Sequence, residues 1–528
     1  MARNSILVIA MLFCMALAKG QDLKVEVSPA FKAPMRQIFQ NHLYSDASGH
    51  YLFFYRYSSW LSIKPGGRTS VVFEKYDPRF KLIYSKDLEE IAPKSHSAGV
   101  VFMKDQFVWI RTERSESDEQ VEVRLTGIST DGELSPPVLV VKDRFEGKVD
   151  LPETKWAISN DTSKLLLATY SDKNQSESKL KMILTVTDPQ LKTVWQNQFE
   201  LPYSEKQLGI QSWCIDHAGN IFMISKVYDD DKVKEAKREE GERVVAYRMV
   251  VFKFEAGADQ ALETELDLGG AFVKNAQMAL SPKGDIQIVG LFSNDFKGLI
   301  QGLFFIRINP LTSAILLSNK KSLSEEELNK IGYKNIDLKK GELGLVNTFE
   351  FGDLLFLEDG SSFVTVEKVD TITTTSDFGD GNVSSSTTYR SGDIIVLRFD
   401  ADGAHKDIHV IPKHQTNSAQ LPLGHVAFAG KDRVYFFYNE NKKNLKKPLG
   451  EKPAATYNFT TSIGVLTSID AAGKIERKPL IAARDIQLPL APRLCGPIGN
   501  NSLFFIAIER AYGQRFRVGR VLLPDWGE

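Results

Sequence analysis

The residues of this chain best suited to chemistry or recognition are few and scattered. The run "FFYRYSSW" places Tyr55, Arg56, Tyr57 and Trp60 within six positions. Aromatic residues with arginine dominate protein interfaces, and flat aromatic faces also stack on sugar rings, so these four are the candidate binding residues. The competing reading is that alternate members of an aromatic strand pack inward, with Trp60, just beyond the strand, left exposed. Two acidic clusters raise calcium: Asp377, Asp380 and Asn382 in "SDFGDGN", and Asp229, Asp230 and Asp231 in "YDDDK". Calcium takes several oxygen ligands from a flexible loop, but neither cluster has the distal bidentate glutamate of a twelve-residue calcium loop. Solvated acidic loops account for both better, and no cofactor is implied. His405, His409 and His414 are spaced to gather on a helix, yet "AHKDIHVIPKH" is extended and points them apart. The chain has no G-x-S-x-G elbow, H-E-x-x-H, P-loop or G-x-G-x-x-G. Acid pairs are abundant, so a hydrolase using two carboxylates stays open.

The elements that must position these residues are β-strands. A hairpin signature, two β-rich runs about a turn of Asp, Asn, Glu, Pro or Gly, returns seven times, from Phe73, Leu125, Leu184, Phe252, Ile306, Leu397 and Leu466. Ahead of each lies a second strand pair, such as "SWCIDHAGNIFMISKVY" or "AQMALSPKGDIQIVGLF". Two hairpins make a four-stranded unit, and a repeat of such units with only strand signals inside is the pattern of an all-β fold, a single β-propeller.

An eighth copy begins at "PRLCGPIGNNSLFFIAIERA" and runs through "RFRVGRVLLPD", where it ends one strand short. The segment 22–29, "DLKVEVSP", alternates apolar and polar residues as a half-buried strand does, and is the natural donor. Eight four-stranded blades, closed by the N-terminal strand joining the C-terminal blade, are therefore expected. Seven is the competing count, because the spacing of the repeats lengthens late in the chain. Part of that drift is "SLSEEELNKIGYKN", 322–335, whose Ser cap and Glu/Leu spacing predict a short helix. Insertions at 229–244, 371–390 and 439–456 fall between the second and third strands of their units, so these loops share one face.

Residues 1–20 stand apart. Arg3, the apolar "ILVIAMLFCMALA" and the small residues Ala18 and Gly20 read as a signal peptide, leaving a propeller domain over 21–528. Removing it takes two of the 66 basic residues, Arg3 and Lys19, and none of the 67 acidic ones, leaving 64 against 67. Such a balance offers no basic face for nucleic acid. No later apolar run is long enough to span a bilayer. Of the three cysteines only Cys214 and Cys495 remain after cleavage. They hold equivalent places in units four and eight, across the ring from one another, and are expected to be free, buried thiols.

"CIDHAGNIFMISKVY" and "FKFEAGADQAL" resemble the bacterial seven-bladed-propeller repeat, and "ALSPKGDIQIVGLF" is similar to the SPDG turn of TolB-like repeats. WD dipeptides, sialidase Asp boxes, kelch double glycines and the tryptophan docking motif of quinoproteins are lacking. As a whole the chain resembles exported propellers of Bacteroidota. That resemblance implies a periplasmic or cell-surface binding role and assigns no active-site residues. The expectation is a non-enzymatic scaffold that binds a protein partner, as a component or partner of an outer-membrane-associated complex. The alternative is a carbohydrate-binding or carbohydrate-active protein using the channel mouth.

Overall fold

The computed structural model describes residues 23–32, 37–57, 69–91, 96–114, 120–144, 153–170, 178–232, 234–240, 242–296, 298–331, 349–377, 383–498, 502–509 and 515–523. Among them the chain forms eight antiparallel sheets of four or five strands and one separate two-stranded hairpin. Their first strands are Gln37–Asp46, His96–Met103, Glu153–Ile158, Leu208–Ile215, Phe272–Leu280, Phe349–Phe356, His425–Ala429 and Gly496–Ile498. In each sheet the main strands follow in chain order, each paired to the next, except that sheet eight adds Lys24–Val27 and Phe31–Lys32 against its last strand and sheet six adds Gln415–Asn417 against its third. This is an all-β array of the β-propeller type, with the units where the hairpin signatures place them.

The turns explain why the signature is legible. Between the third and fourth strands Asp77, Asp188, Asp400 and Asp470 each use Oδ1 to accept the amide of the residue four positions on, at 2.8–2.9 Å. A short acceptor side chain thus satisfies the turn's own backbone. The residue three after each of these aspartates is left-handed: Gly403 and Gly473 in two turns, Phe80 and Leu191 in the others. At Gly403 no side chain fits, since a Cβ would lie 2.4 Å from the Phe305 ring.

Strands inside the sheets are apolar on both faces, as in Leu165–Tyr170, Ile221–Tyr228 and Ile286–Ser293, whose residues are all buried. A strand of this kind needs cover on either side, and the neighbouring sheets supply it. Apolar clusters join sheet one to two, two to three, three to four, four to five, five to six and six to seven. One further cluster unites sheets seven, eight and one, including Phe437, Phe505 and Phe54.

Sheet eight supplies three strands of its own and takes Lys24–Val27 as its outermost fourth, paired from Lys24↔Leu522 to Val27↔Gly519. Ser28 seals the junction: its amide donates to the Val518 carbonyl at 2.8 Å and its hydroxyl accepts the Val518 amide at 3.0 Å. Arg520 pairs with Glu26 at 2.5 Å. Phe31 then bridges to sheet one, its ring 5.1 Å from Tyr76 and 5.2 Å from Phe516.

The helix Glu325–Ile331 lies between sheets five and six and buries Leu328 and Ile331. The insertions all leave between second and third strands, but two are not the loops that the sequence suggests. The 229–244 segment contains the hairpin Ala236–Glu239 with Glu242–Val245. The 371–390 segment continues the sheet itself: Ser362–Asp377 and Val383–Phe399 pair from Ser362↔Phe399 out to Asp377↔Val383. The first strand of that sheet covers them only to Lys368, so the rest projects as an arm with Thr371–Thr375 exposed. The 439–456 insertion begins inside the strand Arg433–Glu440, where Asn439 and Glu440 are fully buried.

Cys214 lies on the first strand of sheet four and is half-buried; Cys495 precedes the first strand of sheet eight and is buried. Both are free, and burial pushes each thiol up to about 12. Deleting residues 22–32 should cost on the order of 5 kcal/mol in lost pairing and apolar cover. Cutting the arm at Thr373 and Thr387, which face each other across it, and closing it with Asn-Gly should leave thermal stability nearly unchanged; equal losses in a melt would refute the closure role of the N-terminal strand. Mass spectrometry of the unreduced chain lacking residues 1–20 should find two free thiols that react with a maleimide far faster after unfolding, and a Cys214 to Cys495 bridge would overturn the order of the sheets.

Candidate functional site

Because adjacent strands alternate in direction, the start of each first strand and the connection between second and third strands lie at the same end of a sheet. The end that carries the insertions therefore also carries the entrances of the inner strands. There a cleft of about 600 Å³ opens, bounded by the inner strands of sheets four, five and six and by the root of the arm. A smaller hollow of about 250 Å³ adjoins it and shares Glu350, Phe351 and Arg493.

The wall between cleft and hollow is a buried ionic network. Lys413, fully buried after the last strand of sheet six, donates to Glu367, to Ser391 Oγ at 2.5 Å and to Gln415 Oε1 at 3.5 Å. Ser391 in turn donates to Glu367. On the other side His425 Nδ1 lies 3.1 Å from Glu367 Oε2, and Arg493 reaches the same oxygen at 3.7 Å while clasping Glu350 at 2.6 and 3.3 Å. Burial works to raise the Glu367 pKa, yet Lys413 and His425 outweigh it and hold the carboxyl well below the usual carboxylate range. Gln415 extends the network by donating to the Asn439 carbonyl at 2.7 Å, and Asn439 donates to the carbonyls of Pro422 and Leu490, each at 2.9 Å. Sheets six and seven and the entrance to sheet eight are thus tied by polar bonds as well as apolar packing.

The cleft surface is different in kind. Asp370 and Arg390 stand directly opposite each other on the two strands of the arm's root, hence on one face. Asn275 and Gln277, two apart on the first strand of sheet five, share a face as well. All four line the cleft, and none has a side-chain partner among the described residues. In the network every hydrogen of the Lys413 ammonium has an acceptor; these four cleft groups have no such partner among the described residues.

The residues singled out from sequence lie elsewhere. Tyr55 is half-buried, its hydroxyl 3.4 Å from the Ser97 carbonyl. Arg56, on the opposite face of the strand, pairs with Asp87 and donates to Gln37 Oε1 at 2.9 Å. Tyr57 ends that strand opposite Thr69, and Trp60 lies outside the described residues, as do Asp380 and Asn382. Asp377 closes the arm opposite Val383. Asp229 pairs with Lys237 at 2.7 Å, Asp230 caps the Lys232 amide at 2.9 Å, and Asp231 accepts from Ser204. His405 sits against Lys321 and Glu327, with burial holding it down at about 4, whereas His409 pairs with Asp407 at 2.8 Å and His414 faces Tyr457. Among the described residues no three His, Cys, Asp or Glu side chains gather as metal ligands do. The network and cleft draw on many separated stretches, and their only sequence trace is a charge beside an apolar run: Glu367 in "SFVTVEKV" and Lys413 in "VIPKHQ".

No family model matches the chain, and no curated protein matches it in sequence. Among solved structures it is similar to the WD40 domain of SCAP from fission yeast, at 10% identity and a TM-score of 0.39, covering 96% of this chain and 99% of that one. The β-propeller domain of the Trilobed protease from Pyrococcus furiosus gives 10% and 0.35 over 82% and 96%. A puromycin-hydrolyzing peptidase from Mycobacterium tuberculosis gives 10% and 0.38 over 90% and 60%. At this level of similarity none of them speaks to what this chain binds.

Glu367→Gln leaves a buried ammonium without its anion and should cost about 3–5 kcal/mol. A depressed carboxyl contributes stability that is complete above the ordinary carboxylate pKa, about 4.3, and is lost as pH falls toward the folded-state value. The wild type should therefore weaken in urea melts from about pH 5 downward, with part of that slope missing in Glu367→Gln. Parallel slopes would show that Glu367 is not held ionised by the fold.

Proposed function

We propose that this chain is an exported, non-enzymatic β-propeller of eight blades, closed by its N-terminal strand, that binds a protein partner with the end carrying its insertions. The reading extends to place: a periplasmic or cell-surface scaffold, as a component or partner of an outer-membrane-associated assembly. The observation that carries it is the concentration of added structure at one end. Three insertions leave at equivalent points, and two of them are regular hairpins that project from the sheets. A hairpin that leaves the scaffold contributes little to the core, and rigid elements displayed on a scaffold are how such folds present binding groups.

The base of the 229–244 hairpin supports a preset geometry. Glu235 accepts from Lys226 at 2.8 Å and from Tyr228 at 2.7 Å, fixing where the hairpin leaves sheet four. The connection after Tyr57, which contains Trp60, leaves sheet one at the corresponding point and belongs to the same binding end in this reading. Ser391, Lys413 and Glu367 are all buried, and the Ser391 hydroxyl donates to the carboxylate rather than to an amine, which favours a structural role for them over an activated nucleophile. No helix of the described residues is long and apolar enough to cross a membrane.

The test is reciprocal co-purification from the native host, using wild type and the chain with its arm cut at Thr373 and Thr387. The wild type should recover a defined partner that, tagged in turn, recovers this chain. The shortened protein should fold normally and recover the partner at least about tenfold less, which corresponds to about 1.4 kcal/mol. Trp60→Ala should weaken the same interaction without lowering the melting temperature. A wild-type protein that always emerges alone, or unchanged recovery by the shortened one, would defeat the reading.

A further inference from the structure

The cleft at the insertion end has features that partner binding by the projecting hairpins does not use. Asp370, Arg390, Asn275, Gln277 and Gln420 all line it, and none has a side-chain partner among the described residues. These are a carboxylate, a guanidinium and three amides, planar groups that each offer two hydrogen-bonding positions side by side. They converge from sheet five, the root of the arm and the turn that follows sheet six, so no local sequence pattern places them together. Asn275 and Gln277 are half-buried, where unmet hydrogen-bonding capacity must be met by water or a ligand.

Charge narrows the ligand class. The charged residues lining the cleft are Asp370, Glu350, Arg390 and Arg493, two of each sign, and Arg493 is already neutralised by Glu350. The site therefore has no surplus charge to hold a strongly anionic or cationic molecule. What suits it is a neutral molecule crowded with groups that are donors and acceptors at once, and neighbouring sugar hydroxyls have that property. Tyr389 and the half-buried Phe349 and Phe351 add aromatic surface beside the polar groups, matching the apolar faces of sugar rings. An extended peptide would instead call for a free strand edge or a row of side-chain pockets. The first strands of sheets five and six are paired on one side only, yet what converges in the cleft is a set of side-chain carboxylate, guanidinium and amide groups, which suits hydroxyls better than a strand's backbone.

We propose that this cleft binds a neutral oligosaccharide, with Asp370, Asn275 and Gln277 holding its hydroxyls and Arg390 closing the mouth. The site goes beyond the partner-binding reading, and it survives shortening of the arm, because a cut at Thr373 and Thr387 falls outside Thr371, Tyr389, Asp370 and Arg390.

A printed array of neutral glucans, mannans and galactans beside sialylated, sulfated and uronic-acid glycans tests this with the chain lacking residues 1–20. Isothermal titration with the best-bound neutral oligosaccharide then measures the variants. Neutral chains should be bound, Asp370→Ala and the double variant Asn275→Ala/Gln277→Ala should each weaken binding about fivefold or more, and the arm-shortened protein should keep wild-type affinity. An array with no bound spot, a preference for acidic glycans, or wild-type affinity in correctly melting variants would overturn the proposal. Loss of partner recovery with glycan binding intact, or the reverse, tells the two readings apart.

Discussion

Everything in this molecule depends on sheets that are apolar on both faces and must find cover on both. A chain of such sheets laid side by side leaves two uncovered faces, one at each terminus, and the first and last units are where it would fray or aggregate. Here the cluster containing Phe54, Phe437 and Phe505 brings sheets seven, eight and one together, so the terminal faces cover each other. The pairing of Lys24–Val27 with the last strand ties that contact into the backbone hydrogen bonding of sheet eight, with Ser28 bonded twice to Val518. Residues almost five hundred positions apart thus share one sheet. A long chain can then fold as one array without disulfides, its two described cysteines remaining separate, buried or half-buried thiols.

A scaffold held this way frees its ends for other work, and the polar exceptions to the apolar rule collect at one end. Glu367, on a strand, and Lys413, just beyond one, are charges in buried positions, and burying them is tolerable only because each meets the other and several further partners. Their network fixes one wall of the cleft. Across from it, groups with no side-chain partner among the described residues face the opening. The contrast between a spent wall and an unspent surface suggests a preorganised recognition site, in which the ordering of the walls is completed during folding.

Much of the fold is legible in the sequence because it is written locally. Each Asp-led turn satisfies its own backbone within five residues, so the hairpins around Asp77, Asp188, Asp400 and Asp470 can be placed without knowing what they pack against. The terminal strand was readable by subtraction, from a last unit one strand short and an alternating "DLKVEV". The arm was not: its Thr and Ser runs look like a polar loop, and only pairing across Thr371↔Tyr389 through Asp377↔Val383 makes them strands. The cleft was illegible for a deeper reason. Asn275, Asp370 and Gln420 acquire meaning only when three distant stretches are brought to one place, whereas the compact "FFYRYSSW" run attracts attention by adjacency that a strand undoes, turning Tyr55 and Arg56 to opposite faces.

The central claim is that the N-terminal strand is an integral part of the last sheet and closes the array. Hydrogen–deuterium exchange followed by peptide mass spectrometry measures this directly. The account predicts that amides of residues 24–28 exchange as slowly as those of 515–522, and that both segments lose protection together as denaturant is added. Rapid exchange of 24–28 while 515–522 stays protected would contradict it.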